Sequence, residues 1–530
     1  MGVTVEAVAG PLVRVIEDPP SEDVGRDRVG QVAVAGVAVV ATLGMLPWLG
    51  KSMFADEGAS LYSARLSWSD LWAQSRHVDL VMLPYYVLLH FWMLVSGSIA
   101  WVHALSLFAY GGTVLVVGGL GLRLAGRWCG IIAAVLTAAS TLLVLKALNA
   151  RPYELSALAV ALCAVALVHW LHDPRVRWLW AFSLLGVVAT ATQLFAVLAP
   201  VSMLVCVVAV CPRLLAQRAR TLLAPMAAFL VPVGAWVVSG AGEVGQVNWI
   251  ASGPTESRLL AEARGPAVGQ LYDLVLFVIV VIVVSKLAVI WDDGVRDVVV
   301  QRIRQDRDVL ALTFGWAVLP TVALSIASVV HPIYADRYVT ASAPGVALLF
   351  ALVCVRALPI TRRTAGGPGG SRVGRPWRGV LAGLGLVAVG LLVAGYLSSA
   401  PALQEDLQGI AGYVAQHARP TDQIALPDHA LTTAIGYYLA RDGRVVPLWP
   451  QTGVRQRFVE GFDLVIDRHA FVPGPPRVWL VTDGSVPGVA RLQRMLRHDH
   501  YSLLEQVHFT GATLLLYHHA HTKRVPGTSR

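Results

Sequence analysis

Apolar runs about as long as a lipid bilayer is thick recur along this chain, separated by short polar connectors. A spanning helix needs about 20 mostly apolar residues to cross roughly 30 Å of hydrocarbon, and it must satisfy its backbone polar groups internally. Eleven stretches meet that requirement, near residues 31–50, 102–122, 129–147, 153–171, 178–193, 194–211, 222–240, 271–291, 309–330, 338–356 and 379–398. The run from 178 to 211 is continuous and reads as a tight hairpin turning near Gln193. Composition agrees, with 56% apolar and 14% charged residues, where soluble domains average roughly 45–50% and about 25%. The chain therefore reads as an α-helical polytopic membrane protein. A soluble enzyme, a disordered chain and a secreted disulfide scaffold are excluded.

The net charge of +9 resides in arginines of the connectors. Lys and Arg concentrate in cytoplasmic loops. With the N-terminus inside, Arg123, Arg127, Arg175, Arg177, Arg218, Arg302 and the cluster from Arg362 to Arg378 all fall on the cytoplasmic side. The outer face then holds residues 51–101, 146–152, 241–270, 331–337 and everything after 400. The charge is thus a topology signal, and no nucleic-acid partner is expected. The five cysteines all lie inside or at the ends of apolar segments, so they form no disulfide framework or zinc ligand set.

Three regions follow. Residues 1–30 form a polar cytoplasmic tail with no signal-peptide cleavage pattern after it. Residues 31–398 form the membrane domain, with a Gly/Arg/Pro-rich cytoplasmic linker at 362–376. Residues 399–530 alternate short apolar strands with helical patterns, which predicts a small extracytoplasmic α/β domain. In the first outer loop, 51–101, Leu61, Ala64, Trp68, Leu71 and Trp72 share one face of an amphipathic helix. A second, at 80–95, is short and contains Pro84 and His90; it reads as an interfacial helix, because a twelfth span there would put the later arginine clusters outside.

The polar residues that break the apolar pattern gather on the outer face near the bilayer. Asp56 and Glu57 follow the first span within a few residues. Such a pair suits a helix cap and first turn; alternatively, one carboxylate held beside a lipid carrier removes a proton from an acceptor hydroxyl. Asp79 opens the second interfacial helix, either as another cap or as a charge facing a cavity or ion. Tyr85, Tyr86 and His90 line a sugar pocket or form an interfacial belt. Arg151 lies on the outer side against the arginine trend, so a partner is expected: a first-loop carboxylate or a ligand phosphate. Pro152 after it suits the first turn of the fourth span. A very short outer loop carries His331, Tyr334, Asp336, Arg337 and Tyr338, where Arg337 either pairs with Asp336 or grips a lipid phosphate.

A D-E pair after the first span, a P-Y-Y-x-L-L-H stretch, A-R-P-Y opening the fourth span and P-x-Y-x-x-R-Y opening the tenth together resemble the polytopic type C glycosyltransferases. The nearest group is the bacterial protein O-mannosyltransferase-like and aminoarabinose-transferase-like enzymes, in their mannosyltransferase branch. The resemblance covers roughly residues 30–356. It departs from the usual H-P-P-L-Y-Y by placing Asp79 near the His-Pro pair of many members.

That resemblance implies an inverting transfer of a sugar, mannose above others, from a polyprenyl-phosphate carrier. The acceptor is a cell-envelope glycan, glycolipid or protein outside the cytoplasmic membrane. By motif, Asp56 matches the catalytic base, Glu57 its neighbour and Arg151 the arginine that organises the first loop. Arg337 and Tyr338 match a carrier-phosphate site, with Asp79, Tyr85, Tyr86, His90 and Tyr153 as further binding candidates. The transfer needs no nucleotide, because the carrier phosphate is already a good leaving group; some relatives use a divalent cation, which Asp79 could hold in an incomplete ligand set. Two rivals are a transporter or flippase of lipid-linked sugars and an inactive scaffold for envelope assembly. Against the first, no internal repeat is evident and the candidate residues gather at the surface, not at mid-membrane.

Overall fold

The computed structural model describes residues 27–76, 79–241, 306–330, 333–357, 405–426, 429–441, 475–482 and 487–519. The expected spans at 271–291 and 379–398 and the linker at 362–376 lie outside the described residues, as does nearly all of the tail.

The described chain is helical apart from one small sheet. A first long helix, α1 (Arg28–Gly44), continues through a 3-10 turn at Leu46–Trp48. The first loop then forms α2 (Ala55–Arg65), α3 (Trp68–Ser75) and α4 (Leu83–Met93). The bundle proceeds through α5 (Ile99–Ala125), α6 (Arg127–Ala138), α7 (Thr141–Lys146), α8 (Tyr153–His172), α9 (Val176–Thr192) and α10 (Leu198–Val210). It ends, among described residues, with α11 (Pro212–Ala241), α12 (Arg307–Ala317), α13 (Leu319–Val330) and α14 (Ala343–Ala357). Arg28–Trp48, α5, α8, Ala216–Ala241 and Arg307–Val330 are long and apolar enough to cross a membrane, and shorter apolar helices pack among them. The protein is a multi-pass membrane protein.

Some expected spans are interrupted. The stretch 129–147 splits into α6 and α7 because Ser140 adopts an extended conformation. The stretch 309–330 breaks at Val318, just before Pro320, which cannot continue the hydrogen-bonding ladder. The turn expected near Gln193 is present, with Gln193 extended between α9 and a 3-10 turn at Leu194–Val197, but the two arms do not pair as a tight hairpin: α9 packs on α8 and α11, and α10 on α12.

The first loop differs from its pattern. The single amphipathic helix expected over 61–72 is cut at Leu66, and Ser67 caps a new helix by accepting from the Asp70 N–H. Leu61, Ala64 and Leu71 turn into the core while Trp68 and Trp72 stay exposed. What ties this loop to the bundle is a buried pair: Glu57 Oε2 lies 2.9 Å from His103 Nε2 of α5, both side chains only 1% exposed. The other ring nitrogen of His103 reaches the Leu49 carbonyl at 2.8 Å.

After the bundle come α15 (Leu407–His417), β1 (Gln423–Ala425), α16 (His429–Arg441), β2 (Arg477–Thr482), α17 (Pro487–His498), β3 (Tyr501–Phe509) and β4 (Ala512–His519). The sheet order is β1-β2-β4-β3, parallel only between β1 and β2. This α/β module rests on α2, and Leu431 and Ile435 of α16 share a core with Leu61 and Ala64. It also satisfies the backbone where α2 begins. Tyr438 Oη accepts from the Met53 N–H at 2.9 Å and Glu405 Oε2 from the Ala55 N–H at 2.9 Å; in return, Ser52 Oγ accepts from the Gln408 N–H of α15 at 3.0 Å.

The α5–α6 crossing depends on absent side chains. A methyl at Gly130 would sit 2.8 Å from the Gly118 carbonyl oxygen and against Leu122, and one at Gly121 would sit 3.0 Å from Gly130 Cα. Small residues let membrane helices approach this closely. A methyl at Gly119 meets nothing within 4 Å. Gly130→Ala should therefore lower the thermal unfolding midpoint in detergent, while Gly119→Ala should leave it unchanged or raise it slightly through helix propensity.

Candidate functional site

Where the helices emerge at one end of the bundle, a carboxylate from the first loop meets guanidinium groups from two distant segments. Asp56 lies in the first turn of α2. The N-cap there is Phe54, without a side-chain cap bond, so capping is not what occupies Asp56. Its Oδ2 accepts from Arg337 Nη1 at 2.9 Å and lies 3.7 Å from Arg151 Nη2. Arg151 Nη1 also donates to Ser60 Oγ at 3.2 Å and to the Asp56 carbonyl at 3.4 Å, holding the helix as well as the acid.

Each arginine is itself fixed. Arg151 follows the break after α7, and Ser106 Oγ donates to the carbonyls of Asn149 at 2.6 Å and Arg151 at 3.3 Å, anchoring that turn to α5. Arg337 sits in a 3-10 turn at Asp336–Tyr338. Its carbonyl accepts from Gln193 Nε2 at 2.7 Å, and Gln193 Oε1 accepts from Ser156 Oγ of α8 at 2.7 Å. Tyr338 stacks on Phe195, ring centroids 4.4 Å apart, closing that side. Asp336 does not take the Arg337 guanidinium: its carboxylate accepts the Arg337 backbone N–H at 2.7 Å.

The electrostatics follow from these contacts. Burial raises the Asp56 carboxyl, but Arg151 and Arg337 outweigh it and hold it below the ordinary carboxylate range. Burial opposes the Arg151 charge, yet Tyr153, Asp56 and Tyr86 more than offset it, so the guanidinium stays charged. Asp79 goes the other way: burial lifts its carboxyl above the usual range against the pull of Arg151. Its backbone is left-handed at φ 59°, and Tyr86 Oη donates to its Oδ2 at 2.9 Å. Asp79 thus occupies a cap position without a side-chain cap bond.

The other candidates divide. Tyr85, Tyr86 and Tyr153 are buried around Arg151. Glu57 points away from Asp56 to His103. His90 stands one turn beyond Tyr86 on α4, where Nδ1 reaches the Ala64 carbonyl at 2.8 Å and the ring packs on Trp68. It pins α4 to α2 instead of joining the arginine cluster. His331 lies outside the described residues. No group of three or more His, Cys, Asp or Glu able to hold a metal occurs among the described residues.

Several participants were not anticipated. Lys146 is buried with Nζ 5.6 Å from the Tyr153 ring centre. Burial lowers the Lys51 ammonium against the opposing charge of Glu57. The chain has only four lysines, and two of them stand here. That scarcity was the available signal. Gln193 looked like a turn residue and offered none.

No family model and no curated protein matches this chain. Solved structures do. ArnT from Cupriavidus metallidurans in the apo state superposes with a TM-score of 0.52 at 14% identity, over 92% of this chain and 97% of that one. The same protein bound to undecaprenyl phosphate gives 0.51 at 15% identity, over the same shares. The chain has the type C glycosyltransferase fold. In this example of the fold, the cluster of Asp56, Arg151 and Arg337 spans 281 residues of sequence.

Two neighbouring tyrosines separate binding from bracing. The Tyr85 hydroxyl is buried without a hydrogen-bond partner among the described residues, whereas Tyr86 bonds Asp79. Tyr86→Phe should cost roughly 1–3 kcal/mol by leaving Asp79 short of a donor. Tyr85→Phe should leave the unfolding midpoint where it is. Parallel melting curves in detergent check the contrast.

Proposed function

We propose that the protein is an inverting glycosyltransferase that moves a sugar from a polyprenyl-phosphate carrier to a cell-envelope glycan, glycolipid or protein. Mannose is the sugar we favour, from the sequence resemblance. The reaction takes place on the outer face, with the N-terminus cytoplasmic and the C-terminal module outside. The observation that carries this reading is Asp56 held between Arg337 and Arg151 where the spans emerge. That a neighbour of the same fold was solved with undecaprenyl phosphate supports a lipid-phosphate donor.

The reaction asks little more of the protein. The Asp56 carboxylate takes the proton of an acceptor hydroxyl, and that oxygen attacks the anomeric carbon from the face opposite the carrier. The carbon–oxygen bond to the phosphate breaks, and the carrier phosphate departs with the electron pair. Guanidinium groups grip a phosphate by paired, charge-assisted hydrogen bonds. In a dry site such groups stabilise the charge that develops on the leaving oxygens. A single carboxylate suffices, since no covalent sugar–enzyme intermediate forms.

The ion pair also gives the base a timing. While Arg337 binds Asp56, the carboxylate is held weakly basic. A donor phosphate that takes the guanidinium away raises the basicity of Asp56 when an acceptor can use it. Arg151, bonded to the Ser60 hydroxyl and the Asp56 carbonyl, keeps the helix in place meanwhile.

Asp56→Asn should abolish transfer of labelled sugar from a polyprenyl-phosphate donor in membranes while the protein still accumulates. Retained transfer would remove Asp56 as the base, and a donor consumed by no variant would favour a transporter. Arg337→Ala should raise the apparent Michaelis constant for the lipid donor. It should also move the acid limb of the kcat/KM profile, which reports the donor-free enzyme, to higher pH, because losing a cation that lowers the Asp56 carboxyl lets it protonate sooner. An unchanged donor affinity would count against the phosphate role.

A further inference from the structure

At the opposite end of the bundle from Asp56, α1, α5 and α8 enclose a cleft of about 860 Å³. Its wall is hydrocarbon, from Val116 and Leu120 of α5 and Leu162 and Val165 of α8. Gly119 opens that wall, since even a methyl there would touch nothing within 4 Å. The mouth is polar and lies at the helix ends, where Arg123, Arg127, Asp27 and His169 line it.

The charges at the mouth do not cancel. Asp27 is engaged with Arg127 at 3.5 Å and caps α1 by accepting from the Gly30 N–H. Among the described residues, Arg123 Nη1 meets only the His169 ring, Nε2 at 2.9 Å. His169 Nδ1 lies 2.8 Å from the Val165 carbonyl, which can only accept, so the ring proton is on Nδ1. Nε2 must then carry a lone pair to accept from Arg123, and the imidazole is neutral. Trp178 packs on the ring at 4.3 Å and fixes its orientation. Arg123 is therefore a guanidinium that no carboxylate among the described residues neutralises.

A cation with no carboxylate partner among the described residues, at the ends of the spans above an apolar slot, matches one kind of molecule: an anionic head on a hydrocarbon chain. We propose that this cleft binds an anionic glycerophospholipid of the leaflet opposite the candidate site. Its phosphate sits on Arg123 and one acyl chain lies along the Gly119 opening. The lipid fills a gap between three spans and completes the charge balance at their ends. This site is separate from the donor chemistry and stands whether or not the protein is a transferase.

The test is native mass spectrometry of the full chain in micelles loaded with equal phosphatidylglycerol and phosphatidylcholine. The wild type should retain one phosphatidylglycerol in preference to phosphatidylcholine. Arg123→Gln should reduce that preference roughly fivefold, the worth of one cation at a lipid surface. Gly119→Phe should fill the slot and lower retention of both lipids, with wild-type melting curves showing that each variant is folded. Equal retention of the two lipids by the wild type, or a preference unchanged in Arg123→Gln, overturns the proposal. So does displacement of phosphatidylglycerol by added polyprenyl phosphate, which would make the cleft a carrier site. Absence of any retained lipid in the wild type also overturns it, since a segment of the chain itself would then fill the cleft.

Discussion

The contact between Asp56 Oδ2 and Arg337 Nη1 joins the first loop of the protein to a turn 281 residues later. An isolated carboxylate at the edge of a membrane is expensive, and an isolated guanidinium there is too. Each is tolerable because the other is present, and removing Arg337 leaves the partly buried Asp56 carboxylate with only the longer contact to Arg151 among the described residues. The pair is consequently also a constraint on the fold. It requires α2 to lie across the end of the bundle and the segment before α14 to reach over α8.

The scaffold meets that requirement with polar contacts made to the backbone and neighbours of the pair, not to its charged groups. Gln193 holds the Arg337 carbonyl and is held by Ser156. His103 secures Glu57 one residue from Asp56. Tyr438 and Glu405, from the module after the bundle, take the backbone N–H groups of Met53 and Ala55, which precede the α2 ladder and would otherwise lack acceptors. The C-terminal module thus contributes to the geometry at Asp56 through the backbone, whatever else it binds.

Much of this was legible in the residues. Apolar runs of bilayer length gave the helical membrane fold, and the alternation after residue 400 gave the small sheet. Asp56 stood out as an acid just past the first span, and Arg151 and Arg337 as outer-face cations against the arginine trend. Gln193 and His103 did not, since a polar residue at a helix end or in an apolar run carries no mark of its partner. The same limit applied to His90, whose bond to the Ala64 carbonyl depends on where α4 lies against α2. The break at Leu66 was missed because hydrophobic spacing continued through it, while Ser67 supplied a cap that started a new helix.

The central claim is that the two arginines are kept for a lipid phosphate and that Asp56 borrows one of them in the meantime. Cryo-electron microscopy of the protein in nanodiscs, with and without added polyprenyl phosphate, tests it most directly. The account predicts phosphate density against Arg337 and Arg151, with the Asp56 carboxylate separated from Arg337 only in the lipid-bound map. A phosphate bound elsewhere, with the Asp56–Arg337 contact unchanged between the two maps, would contradict it.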